Sequence, residues 1–236
     1  MHLTLPVRFT GKAEHEAAFT TLKLDVKKTA VLLVDCTFEN PPESDVGQVL
    51  RKVIAPMLAT ARSVGMKAIF IHGGDHSAHK AMPTEVHRIR RQRAYEPRVW
   101  QPATPVWVSD VEPLAGDAVI EKNGQNAFQG TRLDLYLRTL GIETLLCVGF
   151  SFKSCLFYSM IGAFEHNYRV VFLRDGTHPL GENEFADTLN DSLPEKGWVR
   201  LVLTRLIEDH LGYSSTCEEV NEAIDHAKAQ RREGTV

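Results

Sequence analysis

The sequence predicts a three-layer α/β/α domain around a six-stranded, mostly parallel sheet with helices on both faces. Three observations carry that expectation. Short, continuous apolar runs recur along the chain, as expected for strands buried on both faces. Segments with apolar residues at helical spacing lie between them, so strands and helices alternate. The chain has 236 residues, enough for one well-buried core and short for two.

Residues 1–28 mix polar and apolar positions around Pro6 and Gly11 and are expected to form a surface arm. The first strand is Thr29–Asp35, TAVLLVD. A helix follows over Asp45–Gly65, with Val46, Val49, Leu50, Val53, Ile54, Met57, Leu58 and Ala61 on one stripe and Gly65 at its end. Lys67–His72 (KAIFIH) is the second strand and Asp117–Lys122 (DAVIEK) the third. Then come a helix over Thr131–Leu140, a strand at Glu143–Gly149, and a helix over Ser154–Asn167. A strand at Tyr168–Arg174 precedes a helix over Glu182–Leu193. A sixth strand at Val199–Leu203 and a helix over Thr216–Arg231 close the chain. Residues 73–116 lack a periodic core stripe and are rich in His, Pro, Arg and Trp. A stretch of this length suits a binding lid or an oligomer contact. The organisation is therefore an N-terminal arm, 1–28, and one domain, 29–236, with an insertion at 73–116.

Composition narrows the function classes. The chain is 43% hydrophobic and 24% charged, with a net charge of -3, which gives no basic surface for nucleic acid. The run His87–Arg93 (HRIRRQR) reads as a solvated helix end or loop. No secretory leader and no bilayer-spanning run of about 18 apolar residues is visible, so a cytoplasmic protein without membrane association is expected. The four cysteines, Cys36, Cys147, Cys155 and Cys217, show no CxxC spacing and are read as reduced thiols. No GxGxxG follows the first strand, which disfavours a dinucleotide oxidoreductase, and no cofactor is expected.

Chemistry collects at strand ends. Asp35, His72 and Lys122 each close a strand, and Cys155 lies just beyond Gly149, where a helix begins. In an open parallel sheet the ligand crevice lies at the carboxyl ends of the strands, near a change of strand order. A helix start brings backbone N–H groups and the positive end of the macrodipole to the sulfur, which favours thiolate, and a nearby Lys122 adds to that. Cys155 then serves as nucleophile and Asp35 as the proton carrier. Taken alone, each of these residues has a plainer role: a cysteine packs, a strand-end aspartate caps a turn, a strand-end lysine is solvated. Cys36 and Cys147 are read as strand packing residues and Cys217 as a helix packing residue.

The segments VLLVD, VIEKNGQNAFQGTRLDLYLRTLGIETLLCVGFSFKSCLFYSM and YRVVFLRDGTHP resemble the isochorismatase-like hydrolases over about residues 29–210. The spacing from Gly149 to Cys155 is that of the family, and Phe128, Thr131 and Leu133 follow Lys122 as they do there. The resemblance implies a Rossmann-like fold and a triad of Asp35, Lys122 and Cys155. It also implies a non-proline cis peptide between Phe150 and Ser151, with the Ser151 and Cys155 N–H groups forming an oxyanion hole. The nearest likeness is to ureidoacrylate- and biuret-type amidohydrolases, partly through Asp175-Gly176-Thr177-His178. The chain departs from the family pattern at Thr37, where Gln is common, at Phe152 in place of Thr, and at Leu156 in place of Val. These departures bear on the substrate rather than on the triad. Thr37, Phe38, His72, Phe128, Phe150 and Phe152 are the expected pocket walls.

The expected reaction is hydrolysis of a C–N bond in a small amide or carbamoyl compound through a thioester. Three alternatives stand beside it: a metal-containing, nicotinamidase-like amidase, a vinyl ether hydrolase, and a non-catalytic member that binds a metabolite or partner. Asp75, His76 and His79 are ligands of the right type for a metal, yet the Asp-x-His arrangement is absent and none is expected. Cys155 speaks against the vinyl ether reading. The resemblance further implies a homodimer or homotetramer.

Overall fold

The computed structural model describes residues 1–11, 17–37, 44–73, 105–108, 110–122, 124–177 and 198–233. The first strand of the central sheet, β3 (Thr29–Val34), shows why the fold forms. All six of its residues are buried, so both faces need cover and its backbone needs neighbours on both sides. It pairs in parallel with β4 (Lys67–Gly73) on one side and with β6 (Thr144–Gly149) on the other. Beyond β4 lies β5 (Ala118–Lys122), and beyond β6 come β7 (Arg169–Leu173) and β8 (Gly212–Ser215), all parallel. An antiparallel hairpin, β1 (His2–Thr10) and β2 (Ala17–Asp25), joins along β8. The sheet therefore has eight strands in the order β2-β1-β8-β7-β6-β3-β4-β5.

Alternate residues of the strands supply two cores. Val31, Leu33, Phe70, Leu146 and Val171 face α2 (Ala55–Ser63), through Met57 and Leu58, and α6 (Cys217–Glu233), through Val220 and Ile224. Ala30, Leu32, Ile71, Cys147 and Phe172 face α3 (Leu133–Thr139), through Leu133 and Leu137, and α4 (Phe157–Glu165), through Met160 and Ala163. The first helical segment runs as α1 (Asp45–Val49), a π-helical stretch at Leu50–Ile54, and α2. Its start is capped by the Ser44 hydroxyl, which accepts from the Gly47 N–H.

Three expectations need correction. The arm is a hairpin: Leu3, Leu5, Val7 and Leu24 are buried, because alternate residues of β1 enter the core shared with α6. The sheet has eight strands rather than six. Val199–Leu203 lies within α5 (Trp198–Leu206), and the last parallel strand is β8, whose sequence GYSS carries no apolar run. Four apolar residues around Arg200 fit a buried strand or one helix face equally well, and tertiary packing chose the helix. The proposed helix over 182–193, most of the 73–116 insertion and the basic run 87–93 lie outside the described residues. Among the described residues no helix is long and apolar enough to cross a membrane.

Candidate active site

Strand order places the site. From β3 the chain fills β4 and β5 on one side, then returns to the other side of β3 for β6. The carboxyl ends of β3 and β6 therefore border the switch point where a crevice opens. Asp35 follows β3 there, with its N–H donating to the Ile71 carbonyl at 2.8 Å and its backbone at φ 48°. That left-handed conformation is uncommon outside glycine and takes Asp35 out of the strand path. The segment that follows β6 carries Cys155 in a π-helical stretch, Phe152–Leu156, which leads into α4.

The two strand ends are locked together at Gly149. Its φ is 123°, and a Cβ built on it would sit 2.0 Å from the Val34 carbonyl oxygen, so only glycine fits. The Phe150 N–H then donates to that same Val34 carbonyl at 2.8 Å. This close approach sets the nucleophile segment beside Asp35. Lys122 arrives from two strands away, at the end of β5, and its long side chain spans the gap.

The geometry joins all three. Lys122 Nζ lies 2.9 Å from Asp35 Oδ2 and 3.3 Å from Cys155 Sγ. Lys122 is buried, with a side chain 4% exposed against 20% for Asp35. Burial works against the ammonium, yet the Asp35 carboxylate and the contacts with Asp35 and Cys155 overcome it and hold Lys122 above its ordinary value. Burial also pushes the Cys155 thiol up; the Asp35 carboxylate pushes the same way, and Lys122 opposes both. Burial and the carboxylate thus work against the thiolate that the helix start and Lys122 were expected to favour. One carboxylate nearby and the loss of water outweigh one cation. Asp35 Oδ1 is buried with no hydrogen-bond partner among the described residues.

The Phe150–Ser151 peptide is cis. Ser151 caps the π-helical stretch, and its carbonyl accepts from the Ser154 and Leu156 N–H groups at 3.0 and 3.2 Å. Downstream of Lys122, the loop docks on α4. Ser159 Oγ accepts from the Ala127 N–H at 3.0 Å, and Asn126 occupies the space that a side chain at Gly162 would need.

The expected pocket walls divide. Phe152 is 1% exposed and stacks on Phe172 at 4.6 Å between ring centroids, so it is a core residue. Phe128, 6% exposed, stacks on His166 at 5.0 Å and packs beside Tyr168. Phe150 belongs to the core on the opposite face of the sheet. These three rings pack in the interior, where an unfunctionalised aromatic gains most. Thr37 and His72 lie together around Trp107, which bridges to the Thr37 backbone and meets the rings of Phe70 and His72 edge-on. His72 shares the face of Phe70, whereas Lys122 pairs in register with Gly73, on the other face. Phe38, Asp75, His76 and His79 lie outside the described residues; among those described, no group of three or more His, Cys, Asp or Glu is gathered as metal ligands. Cys36, Cys147 and Cys217 are buried, while Cys155 is half-buried.

Sequence reasoning used Gly149 only as a spacing marker and Gly176 and Thr177 only as part of a likeness, and it missed Trp107. The glycine-threonine pair had a visible signal in DGTHP; Trp107 had none beyond its residue type within an irregular segment.

Comparison with known proteins agrees with the geometry. The ureidoacrylate amidohydrolase RutB of Variovorax paradoxus is 29% identical over 140 residues, covering 54% of this chain and 56% of that protein. The chain thus spans about half the length of the curated relatives it matches. A cysteine hydrolase from Pseudomonas syringae pv. phaseolicola has a similar fold, with a TM-score of 0.71, 19% identity, and coverage of 86% of this chain and 95% of that one. N-carbamoylsarcosine amidase from Thermoplasma acidophilum is similar at a TM-score of 0.50 and 20% identity, over 70% of this chain and 92% of that one. The sequence model of the isochorismatase domain matches residues 29–197, most of the chain, and the chain therefore belongs to the isochorismatase family.

Proposed function

We propose that this chain is a cysteine hydrolase that cleaves a C–N bond in a small amide or carbamoyl compound through a thioester. The observation that carries the reading is the single cluster of Cys155 Sγ, Lys122 Nζ and Asp35 Oδ2, with contacts of 3.3 and 2.9 Å. A nucleophile, a cation and a proton acceptor within mutual reach constitute a triad in function. The names of the relatives support the substrate class: ureidoacrylate and N-carbamoylsarcosine both carry a carbamoyl nitrogen.

The chemistry follows from the charges. In the resting site the Lys122–Asp35 ion pair stands beside a neutral thiol, which avoids a buried unpaired anion. When the substrate carbonyl lies over Sγ, the thiol proton passes to Asp35 as the S–C bond forms. The carbonyl oxygen becomes an oxyanion, held by the Ser151 and Cys155 N–H groups. Collapse breaks the C–N bond, and Asp35 returns its proton to the leaving nitrogen. Water then adds to the thioester, with Asp35 taking its proton; the acid leaves, and the thiol is restored. Lys122 anchors the carboxylate and stabilises developing negative charge on sulfur throughout.

The test is ammonia release from a panel of ureido acids, N-carbamoyl amino acids, biuret and nicotinamide. Release from at least one of these, lost in Cys155→Ala, is expected. No release from any compound, or equal rates with Cys155→Ala, overturns the reading.

A further inference from the structure

Beyond Phe172 the β6–β7 ladder has ended: its last registered pair is Cys147 with Phe172. Gly149, two residues further along β6, would leave its backbone polar groups unpaired on that side, which buried peptide groups rarely tolerate. The turn after β7 supplies both partners. The Gly176 carbonyl accepts from the Gly149 N–H at 2.9 Å, and Thr177 Oγ1 donates to the Gly149 carbonyl at 2.6 Å. Thr177 is 1% exposed, so its hydroxyl has no competing water. The Phe150 N–H is held separately by Val34 on the other side. Gly149 and Phe150 are thus fixed from two directions, and the next residue is Ser151.

We propose that Thr177 is a positioning residue for the oxyanion-binding segment, acting through the Gly149 carbonyl on the peptide planes that aim the Ser151 N–H. This rests on the triad reading given above, but it assigns Thr177 a role that the triad itself does not require. Removing the hydroxyl leaves the Gly149 carbonyl buried without its partner, so the Gly149–Phe150 peptide is held from one side only, by the Phe150 N–H bond to Val34, and can tilt about it. The nucleophile, anchored by Lys122 and by α4, stays where it is. The consequence is selective: carbonyl chemistry weakens, whereas displacement at a saturated carbon, which forms no oxyanion, does not.

The experiment compares Thr177→Val, which keeps the shape and loses the donor, with Thr177→Ser, which keeps the donor. Three quantities are read on the full chain. The first is the rate of Cys155 alkylation by iodoacetamide, which reports on Cys155 because the other three thiols are buried. The second is capture of propanal, measured as protection of Cys155 from iodoacetamide. There the sulfur adds to the aldehyde carbon, the C=O π pair moves to oxygen, and the thiol proton ends on that oxygen as a hemithioacetal. The third is kcat and KM on whichever substrate the panel identifies. Thr177→Val is expected to leave alkylation within about twofold of wild type, to weaken propanal capture, and to lower kcat roughly tenfold to a hundredfold with KM little changed, the range a small misplacement of a reacting group produces. Thr177→Ser restores both. Unchanged propanal capture in Thr177→Val overturns the proposal. So does a parallel fall in alkylation and capture, or the absence of propanal capture in the wild type. If no panel compound is hydrolysed while Thr177→Val still weakens capture, the hydrolase reading fails and the positioning role stands.

Discussion

Two carboxylates in this molecule, buried Glu208 and half-buried Asp35, are paired with cations, and they serve opposite ends. Glu208, 1% exposed at its side chain, is ion-paired with Arg8 at 2.6 Å, accepts from the Ser214 hydroxyl, and has Arg205 4.0 Å away. Ser214 in turn accepts from Arg174 at 2.7 Å. Burial and the neighbouring Arg8 hold the Arg174 guanidinium below its ordinary value, a sign of how crowded with positive charge the cluster is. This network ties β1 to β8 where the register between them is the single pair Arg8–Ser214. Asp35, by contrast, has one cation, Lys122, and a side chain 20% exposed. Its neighbour is a thiol that can lose a proton. Among the described residues both carboxylates keep one oxygen without a hydrogen bond, Glu208 Oε2 and Asp35 Oδ1. Around Glu208 that oxygen faces the Arg205 guanidinium at 4.0 Å; around Asp35 it stands in a trio with a half-buried thiol. A buried ion pair becomes reactive when a transferable proton and solvent access are added to it.

The largest effect that would break this contrast comes from Cys155→Ala. Turnover should fall by roughly 10⁴-fold or more, the scale on which removal of a covalent nucleophile acts. The thermal midpoint should remain near wild type, since a half-buried sulfur is lost and no cation is orphaned. Near-full activity would mean that the trio is structural, as the Glu208 cluster is.

The exchange experiment comes next. Asp35→Asn removes the proton carrier and should lower kcat/KM by about 10²- to 10⁴-fold. Glu208→Gln should cost roughly 2–4 kcal/mol in denaturant unfolding, because it takes the carboxylate from Arg8 while keeping part of the hydrogen bonding, and should leave kcat/KM unchanged. The comparison collapses if Glu208→Gln abolishes activity without destabilising the chain.

Titration sharpens it further. With the Cys155 thiol raised, its alkylation rate should climb with a midpoint above the ordinary 9.0. Lys122→Met, which removes the cation that opposes the rise, should move the midpoint higher; Asp35→Asn should move it lower. Both raised groups contribute stability that is intact below their ordinary values, 9.0 for Cys155 and 10.5 for Lys122, and that is lost as pH rises through the higher folded values. Unfolding free energy should therefore fall on the alkaline side from these groups. A midpoint below 9.0 would reverse the assignment of a neutral resting thiol.

The smallest effect belongs to an exposed pair. Lys28 and Glu143 lie 2.6 Å apart with side chains 53% and 62% exposed. Water and salt screen such a pair, so Lys28→Ala should leave the denaturation midpoint within the scatter of the measurement. A clear loss would show that distance alone, without burial, decides what a charge pair is worth here.

The sequence by itself determined the central strands and the residues at their ends. TAVLLV, KAIFIH and TLLCVG are apolar runs whose backbone and side chains are satisfied only inside a covered parallel sheet, so they were legible without neighbours; AVIEK, at the sheet edge with Val119 47% exposed, was legible only from the alternation of strands and helices. Asp35, Lys122 and Cys155 were legible because strand ends in such a sheet face one crevice. The alternation of Leu3, Leu5 and Val7 also announced a half-buried strand, though it was read as an arm. Tertiary structure alone decided the rest. WVRLVLTRL became helix and GYSS became strand because short segments take whichever form their neighbours complete. Phe128, Phe150 and Phe152 went inward because a ring beside a site in sequence has no reason to face it in space. The protonation of Cys155 depends on burial and on the balance of two charges from distant strands, quantities that arise only when the chain closes on itself.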